Sequence, residues 1–200
     1  MSAFRKAARR FVARRDGTTA VEFAFAASGI LIFVMVIMEI AMMMFANTLL
    51  EGGIRQAARF GITQADPDDP LLDREDMIAE IINDHGIGLL DVDPNNITTL
   101  VYPDFNSIGN PEPWNDDDGN GEYDAGEDFT DMNCNGAWDD DMGFEGAGGS
   151  SEVVLYTVNH DWQMMTGFLN HAFGGGDGVI SLTASVAVRN EPVLNGTTGC

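Results

Sequence analysis

Apolar residues run almost unbroken from position 23 to position 46, with Ser28 and Glu39 the only polar interruptions among 24 residues. At about 1.5 Å per residue the run makes roughly 36 Å of helix, enough to cross a bilayer with some tilt. A core helix of a globular domain keeps a polar face, and this segment has almost none. Past position 46 the pattern becomes one-sided. Ile54, Ala57, Ala58 and Phe60 hold a single apolar face, which predicts that the helix continues to about Gly61. Asp66-Pro67-Asp68-Asp69-Pro70 is a break. Asp73 is placed to cap a second helix over 74–85, with Met77, Ile78, Ile81 and Ile82 as its apolar stripe and Gly86 and Gly88 beyond its end. Strands are predicted at 96–102, 152–159 and 179–189, the last with the clearest alternation. Residues 162–173 read as a short apolar helix or a loop. The expected fold class is α+β, a long N-terminal transmembrane helix packed on a small antiparallel sheet.

Charge adds a direction to this layout. The net charge is -22 and unevenly spread. The first 17 residues hold Arg5, Lys6, Arg9, Arg10, Arg14 and Arg15 against Asp16, a net +5; the rest holds four arginines against 31 acids, a net -27. The basic leader is expected to stay cytoplasmic and the acidic remainder to lie across the membrane. Such an acidic surface excludes nucleic acid as a partner, because that binding needs a basic footprint. The apolar run is too long for the core of a cleaved secretory signal, and no small-x-small site follows it cleanly. An uncleaved signal anchor is the plain alternative.

The entrance to the apolar run is specific. Gly17 ends the basic leader, and Thr18-Thr19-Ala20-Val21-Glu22-Phe23 follows, so a glutamate stands five residues past the glycine at the mouth of the helix. A carboxylate at the edge of a bilayer segment is costly and tends to mark a function. The wording Gly-Thr-Thr-Ala-Val-Glu-Phe-Ala resembles the TadE-like pseudopilins of the Tad (Flp) pilus system. The stretches EGGIRQAARFG at 51–61 and LTASVAVRNEP at 182–192 resemble that family's post-membrane helix and closing strand. The resemblance implies a prepilin: a membrane aspartyl peptidase cutting between Gly17 and Thr18, and Glu22, followed by Phe23, acting in assembly. The new α-amine of Thr18 would be neutralised by Glu22 of a neighbouring subunit, setting register more than raw stability. The simpler reading of Glu22 is an interfacial carboxylate favoured by the helix dipole. The implied layout is a prepilin leader at 1–17, a pilin-like stem helix at 18–62 and an extracytoplasmic α+β domain at 63–200. The implied setting is a single pass through the inner membrane, the domain in the periplasm and possible incorporation into an extracellular pilus. The implied partners are other pilins or pseudopilins and the prepilin peptidase. A first mature residue of threonine rather than phenylalanine, and a length far beyond the short major Flp pilins, point to a minor subunit.

Residues 113–142 stand apart as an insert that the resemblance does not cover. They are acidic, rich in glycine and asparagine, and nearly free of aliphatic residues. Composition alone reads as a solvated, disordered acidic loop. Spacing reads as an EF-hand loop: Asp116, Asp118 and Asn120 at positions one, three and five, Gly121 at six, the Glu122 carbonyl at seven, Asp124 at nine and Glu127 at twelve. Calcium takes six to eight hard oxygens, and this spacing wraps them round one ion. Fifteen residues on, Asp131, Asn133, Asn135, Gly136, Ala137 and Asp139 repeat the first landmarks. Position twelve is then Met142, which cannot ligate; Asp140 and Asp141 are candidates to replace it or to complete the first site. Tyr123 and Trp138 share one offset, where EF-hands place the hydrophobic residue that ties paired loops together. With Pro111 and Pro113 before the first loop and glycines after 142, the flanks do not look like EF-hand helices.

The remaining chemistry is sparse. Cys134 and Cys200 are too few for a disulfide scaffold or a cysteine zinc site, but a disulfide between them is permitted outside the cytoplasm. His85, His160 and His171 lack metal-ligand spacing, and no nucleophile motif or phosphate loop is present, so no enzymatic activity is expected. Glu39 reads as a protonated carboxylate in lipid, a group reaching the far interface, or a polar contact between packed helices. Met35, Met38, Met42, Met43 and Met44 suit either helix bundling or plain lipid contact. The functional readings are a minor pilin-like subunit, a calcium-dependent adhesin or tip protein, and a generic signal-anchored calcium-binding protein.

Overall fold

The computed structural model describes residues 17–63, 74–146, 148–166 and 178–191. Helix α1 spans Thr18–Thr63 and helix α2 spans Arg74–His85; strands follow at β1 (Ile97–Tyr102), β2 (Phe144–Glu145), β3 (Val153–Gln163) and β4 (Val179–Arg189). The architecture is α+β, as the periodicities predict. By contacts the chain divides into two compact units, one of residues 1–43 and 163–179 and one of residues 44–162 and 180–200.

In the first unit, α1 displays apolar side chains all round. Phe23, Phe25 and Phe33 are 72%, 78% and 65% exposed, and Ile30, Leu31 and Met38 are similarly open. Residues 18–59 make a helix long and apolar enough to cross a membrane. Glu39 is the exception and is buried. Its carboxylate accepts hydrogen bonds from the Thr166 backbone N–H at 3.1 Å and from the Thr166 hydroxyl. The polar contact weighed for Glu39 is therefore made within the chain, to the segment that leaves β3. That segment is held in turn by Met164 N–H donating to the Gly178 carbonyl at 2.8 Å. The helix-or-loop reading of 162–173 is corrected at its start, where Trp162 and Gln163 finish β3; residues 167–177 lie outside the described residues.

The second unit holds the core. From Ala46 onward α1 buries one face: Ala46, Leu50, Ile54, Ala57 and Ala58. The four-residue steps from 46 to 58 follow the helical repeat, so a single stripe meets the interior. Helix α2 buries Ile78, Ala79 and Ile82, and its approach to α1 depends on glycine. A Cβ on Gly53 would lie 3.1 Å from the Ile82 Cα, and one on Gly52 would lie 2.7 Å from His85 Nε2. His85 ends α2, a position that suits it. Beyond Gly86 the chain is fixed by the Asn83 side chain, which accepts from Val92 N–H at 2.7 Å and donates to its carbonyl at 3.1 Å.

The sheet runs in the order β2-β1-β3-β4. β1 pairs antiparallel with β3 from Ile97↔Val158 to Tyr102↔Val153, and with β2 at Leu100↔Glu145 and Val101↔Phe144. Thr157–Ser185 and Thr183–Asn159 hydrogen bonds cross from β3 to β4 in antiparallel register. Alternation on β3 buries Val154, Tyr156, Val158, His160 and Trp162. The β4 end is anchored at Arg189 and Asn190. Arg189 lies over the Phe105 ring at 5.6 Å, and the Asn190 side chain donates to the Gly149 carbonyl at 3.1 Å.

Close helix packing at Gly53 makes a clear prediction. Gly53→Ala gains helix propensity of up to about 1 kcal/mol against a tight contact and should be near neutral. Gly53→Leu should destabilise by about 1–3 kcal/mol through overpacking. Urea unfolding of the detergent-solubilised protein, followed by circular dichroism, measures both.

Candidate functional site

The site at the start of α1 is simple. Gly17 sits in a turn whose carbonyl accepts from Val21 N–H at 3.1 Å, and Thr18 is the first helical residue. Glu22 falls just past the first turn, with Glu22 and Phe23 both exposed. No acidic residue stands in that first turn. The leader, residues 1–16, lies outside the described residues.

The insert is a closely hydrogen-bonded pair of loops, contrary to a composition-based reading of disorder. In the first loop the Asp116 carboxylate accepts from Gly119 N–H at 2.7 Å, Asn120 N–H at 3.1 Å and Gly121 N–H at 2.9 Å. Asp118 accepts from Asn120 N–H at 3.0 Å, and Asn120 accepts from Glu122 N–H at 2.6 Å while donating to Asp124 at 2.7 Å. Glu127 closes the ring, accepting from Asp117 N–H and Asp124 N–H, each at 2.9 Å. Carboxylate oxygens of Asp116, Asp118 and Glu127 lie within 4.8 Å of one another, a spacing that could hold one metal ion. Gly119 and Gly121 have φ of +77° and +82°, the left-handed geometry that a tight oxygen-lined turn needs.

The second loop repeats these bonds. Gly136 N–H donates to Asp131 at 2.9 Å, Asn135 N–H to Asn133 at 3.1 Å, and Ala137 N–H to Asn135 at 2.7 Å. The Asn133 and Asn135 side chains both donate to Asp139. Cys134 takes φ +62° where the first loop has Gly119, and it is not a free thiol. Its proposed pairing with Cys200 falls outside the described residues. Asp141 accepts from the Tyr102 hydroxyl at 3.0 Å and from Gly143 N–H at 3.1 Å.

The loops are joined by exchanged backbone bonds. Asn115 N–H donates to the Asp128 carbonyl and Thr130 N–H to the Pro113 carbonyl, each at 2.8 Å, around a Trp114↔Phe129 bridge. Tyr123 stacks on Trp138 with centroids 4.4 Å apart and rings 12° from parallel. Trp114 and Phe129 meet this pair edge-on. Both loops therefore share one aromatic floor. Sequence reasoning missed Glu112, which is fully buried beneath the second loop and accepts from Met132 N–H at 2.6 Å, and from Asn133 N–H and Asp139 N–H at 3.3 Å.

Residues 17–59 match the model of the family described as TadE-like protein. No curated protein and no solved structure matches the chain. The matched segment runs from Gly17 through the apolar run to Arg59, so the chain carries the TadE-like segment that its N-terminal wording resembles. The match stops short of the insert.

Tyr102 yields a pH prediction. Burial, then the hydrogen bond and charge of Asp141, push its phenol up to about 12. The neutral form is favoured in the folded state, so this contribution is complete below about pH 10, the unfolded value, and is lost as pH rises through about 12. A phenolate absorbance titration should show one fewer late-titrating tyrosine in Tyr102→Phe than in the unsubstituted protein, and that variant should lose less stability between pH 10 and 12.

Proposed function

We propose that this chain is a minor pilin-like structural subunit that takes part in Tad/Flp pilus assembly. The carrying observation is the TadE-like match over the N-terminal helix, with Gly17 at its start and Glu22 five residues on. In this reading a prepilin peptidase cuts between Gly17 and Thr18, and the first half of α1 anchors the subunit in the inner membrane. It later packs with other pilins or pseudopilins. Glu22, exposed on the helix, is free to meet the Thr18 amine of a neighbour. The domain beyond α1 works in the periplasm or on the fibre, in a structural and not a catalytic role.

We further propose that the insert binds calcium, with Asp116, Asp118, Asn120, the Glu122 carbonyl, Asp124 and Glu127 serving the first loop. Asp131, Asn133, Asn135, the Ala137 carbonyl and Asp139 serve the second. The donor set is all oxygen, as calcium requires. Affinity in the range of about 10⁻⁴ to 10⁻³ M would suit an extracellular module. An adhesin or tip role is compatible with the same site and would make surface attachment, but not fibre formation, calcium-dependent.

Two experiments test these proposals. Glu22→Ala is expected to leave processing intact and reduce piliation severely, whereas Gly17→Val should block processing, seen as a larger species on gels. Normal pili in the Glu22→Ala strain would refute the register role. For the insert, protease resistance and tryptophan fluorescence should both rise with calcium over chelator, since Trp114 and Trp138 lie in the loop pair. Equal behaviour in both conditions would remove calcium from the account.

A further inference from the structure

The missing twelfth position of the second loop has a physical answer in Glu112. In the first loop, Glu127 receives the N–H of loop position two, Asp117, and of position nine, Asp124. In the second loop, positions two and nine are Met132 and Asp139, and both donate to Glu112. The same two donors thus reach a glutamate in each loop, but the second glutamate arrives from elsewhere in the chain. Met142, the contiguous residue, is buried in the cluster with Tyr102 and Val153.

The substitution obeys a symmetry. Glu112 lies four residues before Asp116, and Glu127 lies four residues before Asp131. Written as a repeat, Glu112, Trp114, Asp116, Asn120, Gly121, Tyr123 and Asp124 correspond to Glu127, Phe129, Asp131, Asn135, Gly136, Trp138 and Asp139 at a constant offset of 15. The Trp114↔Phe129 bridge and the Tyr123–Trp138 stack join equivalent positions, and the Asn115–Asp128 and Thr130–Pro113 bonds interchange under the same offset. We infer that residues 112–141 are a duplicated unit in which each loop is closed by the glutamate preceding the other. Glu112 is then the closing carboxylate, and a calcium ligand, of the second loop.

An independent observation points the same way. Glu112 is a carboxylate with no solvent exposure, outside the acidic run, and none of the described ion pairs involves it. Three N–H donors soften the cost of burying that charge, but a buried carboxylate without a cation is expensive. A divalent ion shared with Asp131, Asn133 and Asp139 supplies the missing positive charge. Reciprocal closure also predicts cooperation: ordering one loop places the glutamate that orders the other.

This inference rests on the calcium reading for its ligand and on hydrogen bonding alone for its closure, so the two are tested apart. Detergent-solubilised full-length protein, wild type, E112Q and E127Q, is taken through calcium equilibrium dialysis and, in chelator, amide hydrogen exchange. Wild type should bind two ions and E112Q one. In chelator E112Q should lose protection at Met132 and Asp139 by about tenfold or more, with β1 and β3 unchanged. Two ions and unchanged exchange in E112Q would overturn the inference, as would loss of protection spread evenly over the sheet. Should E112Q fail to fold, E112D keeps the charge one methylene shorter and should lose second-loop calcium with the sheet intact; unchanged binding in E112D would equally overturn it. No calcium on wild type would refute the calcium reading, while the exchange result would still decide the closure.

Discussion

One helix has to satisfy two surroundings, and the rest of the chain is arranged around that constraint. Up to about Phe45 α1 displays large apolar side chains in every direction, and from Ala46 it offers a single stripe to a protein core. A helix apolar all round is stable only where nothing aqueous touches it, whereas a one-sided helix needs a partner surface. The stripe of Ala46, Leu50, Ile54 and Ala58 is small or aliphatic, and Gly52 and Gly53 let α2 come close. A large side chain at Gly53 would push the two helices apart. The only buried acid in the apolar half, Glu39, is given two donors by Thr166 and so escapes the cost of an unsatisfied carboxylate.

The insert solves a different problem. It has almost no aliphatic residues, so an aliphatic core cannot order it. Order comes instead from side-chain oxygens that accept the loop's own N–H groups, and from four aromatic rings packed between the loops. These bonds gather negative charge in a small volume, which is unfavourable unless a cation neutralises it. Calcium is proposed to settle that imbalance, and Glu112 to extend the same logic to the second loop.

Much of this was legible in the sequence, for identifiable reasons. Helix α2 and β4 carry strong periodicities and span the expected residues, and α1 ends two residues past the expected Gly61. β3 extends to Gln163, further than the expected 159, because His160 and Trp162 continue the buried face while Asp161 lies on the exposed one. The two-residue β2 carries no pattern of its own; it exists because Leu100 and Val101 offer an edge. Glu112 escaped notice because the EF-hand template is contiguous, while the closing group here is contributed across a pseudo-symmetric pair. The signal that reveals it is the 15-residue repeat, followed four residues further back than the loop motif begins.

The account as a whole depends on how the start of α1 is handled in the cell. The most direct measurement is the N-terminal sequence of the protein isolated from cells that hold the prepilin peptidase. The pilin-like account predicts Thr18-Thr19-Ala20 at the mature terminus, with the basic leader gone. A terminus at Met1 in those cells would contradict it and leave an ordinary signal-anchored protein.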